Sequence, residues 1–325
     1  MERLRWIEQN LVLLVVATAA LGLAVPALGT SIAGVVSPLF AVLMLAVSLT
    51  FDVRDLRLVI RRPARQVIAT GLVYLPMGLA GALLGRVLFG AGTPFGLGQT
   101  LVGVLPTDIS SPLLVFIARG NVALATVLNA VNTALAPLLV PLLFIQLTGV
   151  ELTVPVSELM LELLIVIVIP TVLGVWLRTR FATRLAPAEP LLSATGSVAY
   201  LLLLLAVLGP NAETILTSGW DIVLLVAGAT LLNLVGYAFG ATVRPWIRDE
   251  ADRIAFLFTV SKKEFSIAAV VVVSSGLPPG VAVPAVMTAV VQMITSPLAA
   301  TWLSSRSTRG ITTSLRAHRA DHRPG

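Results

Sequence analysis

The sequence predicts an all-α polytopic membrane protein whose ten transmembrane helices form two inverted repeats of five helices each. Three observations support this fold class. Of the 325 residues, 57% are hydrophobic and only 12% are charged, whereas soluble domains have roughly 25% charged residues. Ten apolar runs are each long enough to cross ~30 Å of hydrocarbon. Basic residues are concentrated between alternate runs, as the positive-inside rule requires of a multi-spanning chain.

Each predicted transmembrane helix corresponds to one apolar run. The runs are 11–28, 31–50, 66–89, 97–118, 122–147, 158–177, 191–209, 220–242, 254–275 and 281–303. With this count, nineteen of the twenty arginines fall on one side of the membrane, and Arg86 is the exception. Both termini are therefore predicted to be cytoplasmic, in a protein of the plasma membrane. The net charge of +6 reports this orientation and gives no reason to expect a nucleic-acid partner.

Ten helices with both ends on one side divide into halves of opposite orientation, which is the plan of many secondary transporters. We expect a single transporter domain over residues 1–304, with the repeats covering about 1–148 and 149–304. Residues 305–325 are rich in arginine. They predict a basic cytoplasmic tail that is disordered against the anionic surface of the lipid bilayer.

The fourth and ninth predicted helices have polar centres. Span 97–118 carries Pro106 and Pro112, and each proline lacks an N–H and crowds the preceding turn. Span 254–275 carries the run Thr259-Val-Ser-Lys-Lys-Glu-Phe-Ser266 at the equivalent place. Because unwound backbone at membrane depth survives only inside protein or beside water, we expect both helices to break near mid-membrane and to cross there. A simple proline kink, with serines bonding to the freed backbone, is the alternative for the fourth helix.

The chain's only two lysines, Lys262 and Lys263, lie in the polar centre of the ninth helix. One ammonium group at mid-membrane costs at least ~2.5–3.5 kcal/mol, so charged partners are expected. Asp108 and Glu264 supply two negative charges and make the set neutral. We expect one lysine to face a cavity and the other to contact Asp108, Glu264 or a free carbonyl. Either the four groups form a static ion-pair cluster, or one lysine changes its charge or partner during transport.

Polar side chains that can bind a solute or an ion accompany these charges. They are Thr107, Ser110, Ser111, Asn129, Asn132, Thr133, Thr259, Ser261 and Gln292. The chain has no cysteine, and its two histidines, His318 and His322, lie in the predicted tail. Disulfides and thiolate metal sites are thereby excluded. No nucleophile, metal or histidine accompanies Asp108 and Glu264, so we do not expect an enzyme. We also expect no cofactor beyond a coupling ion, Na⁺ or H⁺.

Several segments resemble the bile acid:sodium symporter superfamily. They are Leu45–Phe51, Arg61–Pro63, Ile117–Leu124 and Asn132–Pro141. The order Ala-Arg-Gly-Asn-Val-Ala-Leu followed by Ala-Pro-Leu-Leu-Val-Pro is quite specific. The resemblance implies a panel domain and a core domain, with helices 4 and 9 crossing in the core. It also implies secondary active transport, by alternating access, of an organic anion that is bile-acid-like or a small carboxylate.

The resemblance places the family's first sodium site on positions that this sequence has partly changed. Ser111 matches the family's helix 4 serine, but Pro112 stands where an asparagine is expected. The helix 5 ligands fall on Asn129, Asn132 and Thr133, which still offer oxygen atoms. This site therefore keeps only part of its ligand set.

The second sodium site is changed more thoroughly. The family's helix 9 glutamate falls on Thr259, its Met-Gln pair on Lys262 and Lys263, and its helix 3 glutamine on Val73. We predict that this site is absent, because a lysine ammonium can occupy a sodium position and supply the same charge. The expected carrier is either sodium-independent or proton-coupled through Lys262 or Lys263.

The related arsenite-efflux family shares this architecture and supplies the alternative function. Its expected helix 4 cysteine is absent here, and soft metalloids need thiolate ligands. The sequence therefore favours transport of an organic anion over efflux of a metalloid.

Overall fold

The computed structural model describes residues 10–50, 63–217 and 219–321, and for residues 11, 12 and 306–321 it describes the backbone alone. All regular elements within these residues are helical. The α-helices are α1 (Leu11–Ala24), α2 (Pro26–Ile32), α3 (Val36–Ser48), α4 (Pro63–Phe89), α5 (Pro94–Val104), α6 (Ser111–Ile117), α7 (Val122–Thr148), α8 (Val156–Leu163), α9 (Ile169–Arg180), α10 (Ala182–Leu185), α11 (Glu189–Thr217), α12 (Asp221–Ala241), α13 (Glu250–Ser261), α14 (Phe265–Ser275) and α15 (Val283–Asp321). Short 3₁₀ segments at Ala33–Val35, Ala186–Ala188 and Pro279–Ala282, and a π-helical segment at Leu164–Val168, adjoin some of them.

Seven helical segments of the described residues are long and apolar enough to span a membrane. They are Pro26–Ser48, Pro63–Phe89, Val122–Thr148, Val156–Arg180, Ala182–Thr217, Asp221–Ala241 and Pro279–Ser305. The all-helical, multi-spanning fold class is thereby confirmed, while the count of ten helices stays a prediction. Two of the three remaining predicted spans are divided into short helices. The first, 11–28, ends early: Pro26 disfavours helical backbone at Val25 (φ −131°, ψ 71°), so α1 stops at Ala24.

The fourth predicted span is interrupted between α5 and α6. After the end of α5, Leu105 has extended backbone (φ −66°, ψ 152°). Pro106 follows and has no N–H with which to continue the helical hydrogen bonds. Pro112 lies in the first turn of α6, where a missing donor costs nothing. The two prolines thus end one helix and begin the next, instead of bending a single helix.

The ninth predicted span is interrupted between α13 and α14, without any proline. Lys262 has extended backbone (φ −96°, ψ 134°) after the last residue of α13. Glu264 (φ −82°, ψ 95°) directly precedes α14 and acts as its N-cap. Residues 262–264 therefore leave the helical conformation although no proline ring forces them to do so.

The two interruptions lie against each other and form an isolated antiparallel bridge. The Asp108 N–H donates to the Lys262 carbonyl at 3.3 Å, and the Glu264 N–H donates to the Pro106 carbonyl at 3.1 Å. Buried backbone groups need such partners. Each unwound segment therefore satisfies polar groups that the interrupted helices leave free.

The helices pack in two sets. In the first set, α1, α2 and α3 pack along α11, and α9 packs along α3. The second set contains α4, α5, α6, α7, α12, α13 and α15, and α14 lies between the sets with contacts to α3, α11 and α15. Glycine permits close approach: a Cβ on Gly29 would lie 2.1 Å from the Leu205 carbonyl oxygen, and one on Gly236 would lie 2.5 Å from the Ser261 Cα. Small residues at helix contacts are typical of membrane proteins.

The two faces of α4 show how the apolar surface arises. Leu75, Leu79 and Leu83 recur every four residues and are 58–64% exposed. Val73 and Met77, on another face of the helix, are fully buried. A helix that is apolar on both faces is suited to lipid on one side and packed protein on the other.

Part of the predicted topology lies outside the described residues. This part includes Arg3, Arg5, Arg54, Arg57, Arg61, Arg62 and Arg323. The α15 backbone continues as helix to Asp321 without a break at residue 304. The separate tail over 305–325, the domain division and the orientation of the termini stay predictions.

Candidate functional site

The two unwound segments, 105–110 and 262–264, bring the predicted charged residues together in the protein interior. We define these segments and the side chains that contact them as the crossing site. Its four charged side chains are each at most 1% exposed. Charges at such depth must be compensated by partners, and the four side chains find their partners in different ways.

Lys262 forms an ion pair with Asp108. Its Nζ lies 3.4 Å from Asp108 Oδ1 and donates to the Ser110 hydroxyl at 2.8 Å. The Asp108 carboxylate also accepts from the Ser110 N–H (2.8 Å), from the Ser110 hydroxyl and from Gln292 Nε2 (3.2 Å). The pair is therefore enclosed, and its hydrogen-bonding positions are largely filled.

Lys263 binds carbonyl oxygens instead of a carboxylate. Its Nζ donates to the Val73 carbonyl of α4 at 2.7 Å and to the Leu105 carbonyl at the end of α5 at 2.8 Å. It forms no ion pair in the part of the chain that the structure describes. Gln292 of α15 donates to the Lys263 carbonyl (2.9 Å) and accepts from the Lys263 N–H (3.1 Å). The ammonium thus binds two carbonyl oxygens, which are the kind of ligand that also coordinates dehydrated metal cations.

Glu264 accepts three hydrogen bonds and forms no ion pair among the described residues. Its Oε2 accepts from the Ile109 N–H at 3.1 Å. Its Oε1 accepts from the Ser266 hydroxyl at 2.7 Å and from the Ser266 N–H at 3.3 Å. The carboxylate caps the N-terminus of α14, where the helix dipole favours negative charge. N–H and O–H dipoles therefore stabilise this charge in place of a lysine.

Each lysine has one of the partners that the sequence predicts, an acid for Lys262 and free carbonyls for Lys263. Both side chains are only 1% exposed, so neither has the cavity-facing position that the sequence predicts for one of them. The extended backbone explains this difference, because consecutive side chains of an extended segment point in opposite directions. The Lys262 ammonium therefore reaches the Asp108 carboxylate, whereas the Lys263 ammonium reaches the carbonyl oxygens of α4 and α5.

The predicted oxygen-bearing side chains next to the first interruption are largely engaged within the protein. The Thr107 hydroxyl donates to the Thr259 carbonyl at 2.7 Å. Asn129 donates through Nδ2 to the Asp108 carbonyl (3.2 Å) and accepts through Oδ1 from the Thr133 hydroxyl (3.1 Å). These bonds link α7 to the interruption and fix its backbone.

Asn132 belongs to a polar contact with α4 that the sequence analysis does not predict. Its Oδ1 accepts from the Thr70 hydroxyl (2.7 Å) and from Gln66 Nε2 (3.3 Å), and its carbonyl accepts from the Tyr74 hydroxyl (2.6 Å). Its Nδ2 donates to the Thr107 hydroxyl at 3.4 Å. The sequence could have predicted a polar face of α4 here, because the polar residues 66, 70 and 74 are spaced four apart and therefore share one face of the helix.

Two predicted site hydroxyls have no hydrogen-bond partner in the described structure. They belong to Ser111 and Thr259, whose side chains are fully buried. The Ser261 hydroxyl instead lies within hydrogen-bonding reach of the Tyr237 hydroxyl. Buried hydroxyls are nearly always bonded, so those of Ser111 and Thr259 are available to a ligand. Among the predicted ligands of the first sodium site, Ser111 is the one that keeps an unbonded side-chain oxygen.

Tyr200 of α11 lies next to the crossing site, against Phe265 of α14, although no sequence signal marks it. Its ring packs edge-on against Phe265, with centroids 4.8 Å apart and planes at 88°. Its buried hydroxyl has no hydrogen-bond partner among the described residues. A tyrosine within an apolar run resembles a packing residue, which is why sequence reasoning misses it.

Two cavities lie along α11 beyond the Tyr200–Phe265 pair, the first against α14 and the second against the start of α5 and residues 278–280. The first has a volume of about 260 Å³, and its walls include Val207 and Ala269. The second has a volume of about 340 Å³ and shares Asn211 with the first. Neither is lined by a charged side chain. The cavities therefore offer an apolar surface with a few polar groups.

The opposite end of the ninth span is closed by polar contacts. Arg65, near the start of α4, forms an ion pair with Asp252, near the start of α13. Asn121, the N-cap of α7, donates through Nδ2 to Asp252 Oδ1 at 2.7 Å. Its N–H donates to the Ala251 carbonyl at 2.9 Å. Three helices are thus joined at this end, while the first cavity lies beside α14 at the other.

The amino-acid sequence is similar to known membrane transporters. Residues 37–218 match the profile of the Sodium Bile acid symporter family. YocS of Bacillus subtilis (strain 168), described as an uncharacterized sodium-dependent transporter, is 30% identical over 231 residues, which is 70% of this chain and 69% of YocS. YbaS of the same strain is 30% identical over 267 residues, which is 80% of this chain and 85% of YbaS.

A plant relative extends this similarity. The probable sodium/metabolite cotransporter BASS1 of Arabidopsis thaliana, described as chloroplastic, is 31% identical over 199 residues, or 61% of this chain. The matched part is 48% of BASS1, so the chain spans about half the length of that relative. The family profile covers more than half of the 325 residues, which confirms the resemblance seen in the sequence. The chain belongs to the sodium bile acid symporter family and is a multi-pass membrane transporter, not an enzyme.

Proposed function

We propose that this protein is a secondary active transporter that carries an organic anion across the plasma membrane by alternating access. We also propose that Lys263 takes the place of one sodium ion. The names of two relatives, a sodium-dependent transporter and a probable sodium/metabolite cotransporter, support carriage of a metabolite. Many secondary transporters build their binding sites from two broken helices. The proposed solute is bile-acid-like or a small carboxylate.

Ten transmembrane segments are part of this proposal. Three further crossings are added to the seven long segments. One is α1, one is formed by α5 together with α6, and one is formed by α13 together with α14, which gives ten. The divided crossings are then the fourth and the ninth, at equivalent places in five-helix repeats of about 1–148 and 149–304. The first helix set then corresponds to a panel domain and the second to a core domain, with the two broken helices crossing at mid-membrane and both termini in the cytoplasm.

The position of the Lys263 ammonium supports the substitution for sodium. The buried Nζ binds the carbonyl oxygens of Val73 and Leu105 at 2.7 and 2.8 Å. Val73 is the position at which the family resemblance places a helix 3 ligand of the second sodium site. The Leu105 carbonyl lies at the C-terminal end of α5, where the helix dipole favours a cation. An ammonium held there supplies the charge that sodium would bring.

Two further forms of ion coupling follow from the same residues. The first sodium site, with Ser111, Asn129, Asn132 and Thr133 as its candidate ligands, stays a prediction. Proton coupling through Lys262 or Lys263 is the alternative to a fixed ammonium. Uptake that is driven by a pH gradient without sodium would favour the proton-coupled form. Uptake that does not change with the pH gradient would favour an ammonium that stays charged.

Uptake into proteoliposomes tests the proposal, with a labelled bile acid and labelled small carboxylates as solutes. Replacing sodium by choline at fixed pH is expected to leave uptake unchanged. Lys263→Gln restores the amide that the family carries and is expected to make uptake depend on sodium. Lys262→Gln combined with Asp108→Asn is the matched control, because it removes the neighbouring ammonium without leaving a buried charge and keeps Lys263. Collapse of wild-type uptake in choline would contradict a sodium-independent carrier, and a sodium dependence that is the same in Lys263→Gln as in the wild-type protein would contradict the substitution of Lys263 for sodium.

Arsenite efflux, the alternative from the sequence, is not supported by the crossing site. The 325 residues include no cysteine, and the site offers hard oxygen atoms and ammonium groups where a soft metalloid needs thiolates. Expression in an arsenite-sensitive host is therefore expected to give no resistance, and resistance would revive this alternative.

A further inference from the structure

We propose that Glu162 of α8 is a proton-binding residue and that its protonation couples solute uptake to the proton gradient. Ser37 of α3 is its hydrogen-bond partner. This inference rests on the proposed transport function and adds the coupling ion and the residue that binds it. Proton binding then takes place outside the crossing site, on a residue other than Lys262 and Lys263.

The depth of Glu162 in the membrane is the first observation. The residue belongs to the long apolar segment Val156–Arg180 and lies about 9 Å along the axis from its first residue. Its partner Ser37 is the middle residue of the segment Pro26–Ser48, which is also long and apolar enough to span a membrane. The carboxyl group is therefore placed at the depth of the hydrocarbon, where ionisable residues are rare and mark ion pathways and proton relays.

The hydrogen bonding of Glu162 suits a group that binds and releases a proton. The Ser37 hydroxyl donates to Glu162 Oε1 at 2.8 Å, and both side chains are partly buried. Glu162 forms no ion pair with any of the described residues. A serine hydroxyl can donate to a carboxylate and can accept from a carboxylic acid. The contact can thus persist when a proton binds, and no paired cation holds the carboxyl group in its ionised form.

The elements packed around Glu162 bring no opposite charge to it. α8 packs against α7 and α14, and the adjoining π-helical segment packs against α3 and α7. The sequences of α3, α7, α14 and the π-helical segment contain no charged residue. Glu158, one turn earlier on α8, is exposed, and Glu264, which caps α14, is bonded to Ile109 and Ser266. A charge on Glu162 is therefore not compensated by these neighbours.

The segment Val156–Arg180 passes from one helix set to the other close to Glu162. α8 packs against α7 of the second set, whereas α9 packs along α3 of the first set. The π-helical segment Leu164–Val168 lies between α8 and α9 and contacts both α3 and α7. Such π-helical turns are rare and occur frequently at functional sites. Glu162 thus lies directly before the point where this segment changes sets, and its bond to Ser37 joins α8 to the first set.

This position gives proton binding an effect on transport. Alternating access moves one group of helices against the other, and a contact between α8 and α3 changes its surroundings when they move. A proton shifts such an equilibrium only if it binds to one state more tightly than to the other. During uptake, a proton from the outer side binds to the Glu162 carboxylate and leaves on the cytoplasmic side. The neutral acid can enter apolar surroundings in which the charged carboxylate is unfavourable.

Gradient-driven uptake by Glu162→Gln tests the inference, because the amide keeps the shape of the side chain and cannot bind the proton. Proteoliposomes in sodium-free buffer take up labelled taurocholate and labelled pyruvate, with the membrane potential held at zero by potassium and valinomycin. Protein-free liposomes correct for passive diffusion. An inward gradient of one pH unit is expected to raise accumulation by the wild-type protein roughly tenfold, the ratio that one coupled proton can sustain.

The variants are expected to differ in their response to this gradient. Glu162→Gln is expected to lose the increase and to retain counterflow, in which labelled solute exchanges for unlabelled solute without a gradient. Glu162→Asp keeps a carboxyl group and is expected to keep part of the increase. Glu158→Gln is the matched control, because it removes an exposed acid one turn away on the same helix, and its increase is expected to equal that of the wild-type protein.

The outcomes separate this inference from the transport proposal. An increase that is the same in Glu162→Gln as in the wild-type protein, or that is absent from the wild-type protein, overturns the role of Glu162 and leaves organic-anion transport intact. Loss of counterflow in Glu162→Gln would show that the side chain serves folding or solute exchange itself, which also overturns that role. A wild-type protein that takes up neither solute contradicts the transport proposal and this inference together.

Discussion

The two interruptions that form the crossing site have similar shapes and different causes. The first, over residues 105–110, contains Pro106 and is followed by Pro112 in the first turn of α6, so covalent geometry alone ends one helix and begins another. The second, over residues 262–264, contains no proline and is held by its pairing with the first and by the partners of its charged side chains. The first interruption is thus imposed locally, and the second depends on tertiary contacts.

This difference predicts which interruption is the more sensitive to substitution. Apart from the charged residues at 262–264, the span 254–275 is mostly apolar and contains no proline or glycine that would stop a helix. In the first interruption the prolines remain whatever happens to their neighbours. Substitutions of charged groups in the second interruption are therefore expected to have the larger effects on stability.

The largest effect is expected for Lys262→Met, which leaves the Asp108 carboxylate buried without a cation. Breaking a buried ion pair from one side costs roughly 3–5 kcal/mol of unfolding free energy. Unfolding in mixed micelles, followed by tryptophan fluorescence, measures this loss. Adding Asp108→Asn to Lys262→Met removes the uncompensated charge and is expected to recover a large part of it. Losses that simply add in the double variant would contradict a direct ion pair.

A smaller loss of about 2–3 kcal/mol is expected for Lys263→Met, because it leaves the Val73 and Leu105 carbonyls without a donor. No carboxylate of the described residues forms an ion pair with this ammonium, so Asp108→Asn is not expected to rescue the variant. Sodium is expected to restore part of the stability relative to choline, since a bound ligand stabilises the folded state. Equal rescue of both lysine variants by Asp108→Asn would remove the distinction between the two ammonium groups.

The features that follow from local sequence were predictable. Apolar runs predict the long helices, Pro106 and Pro112 predict the first interruption, and two acids with two lysines predict a compensated cluster. The end of α1 at Ala24 was missed, although Pro26 marks it, because hydrophobicity alone does not show where an apolar run stops being helical.

The partner of each lysine was not predictable, because it depends on contacts between distant parts of the chain. Lys263 and the Val73 carbonyl that it binds are 190 residues apart. The packing of the helices determines which carbonyl of α4 faces residues 262–264. A sequence of apolar residues does not show which carbonyl that is. Tyr200 was missed for the same reason, since its surroundings come from the interrupted helices and not from its own apolar run.

The smallest effect is expected at the first interruption, for Thr107→Val. This substitution keeps the shape of the side chain and removes the donor to the Thr259 carbonyl, with an expected loss of about 1–2 kcal/mol of unfolding free energy. Thr126→Val is the matched control, because its hydroxyl bonds only within its own helix, to the Val122 carbonyl at 3.0 Å, and little change is expected. A loss in Thr107→Val as large as that in Lys262→Met would show that the first interruption, despite its prolines, depends on tertiary contacts as much as the second.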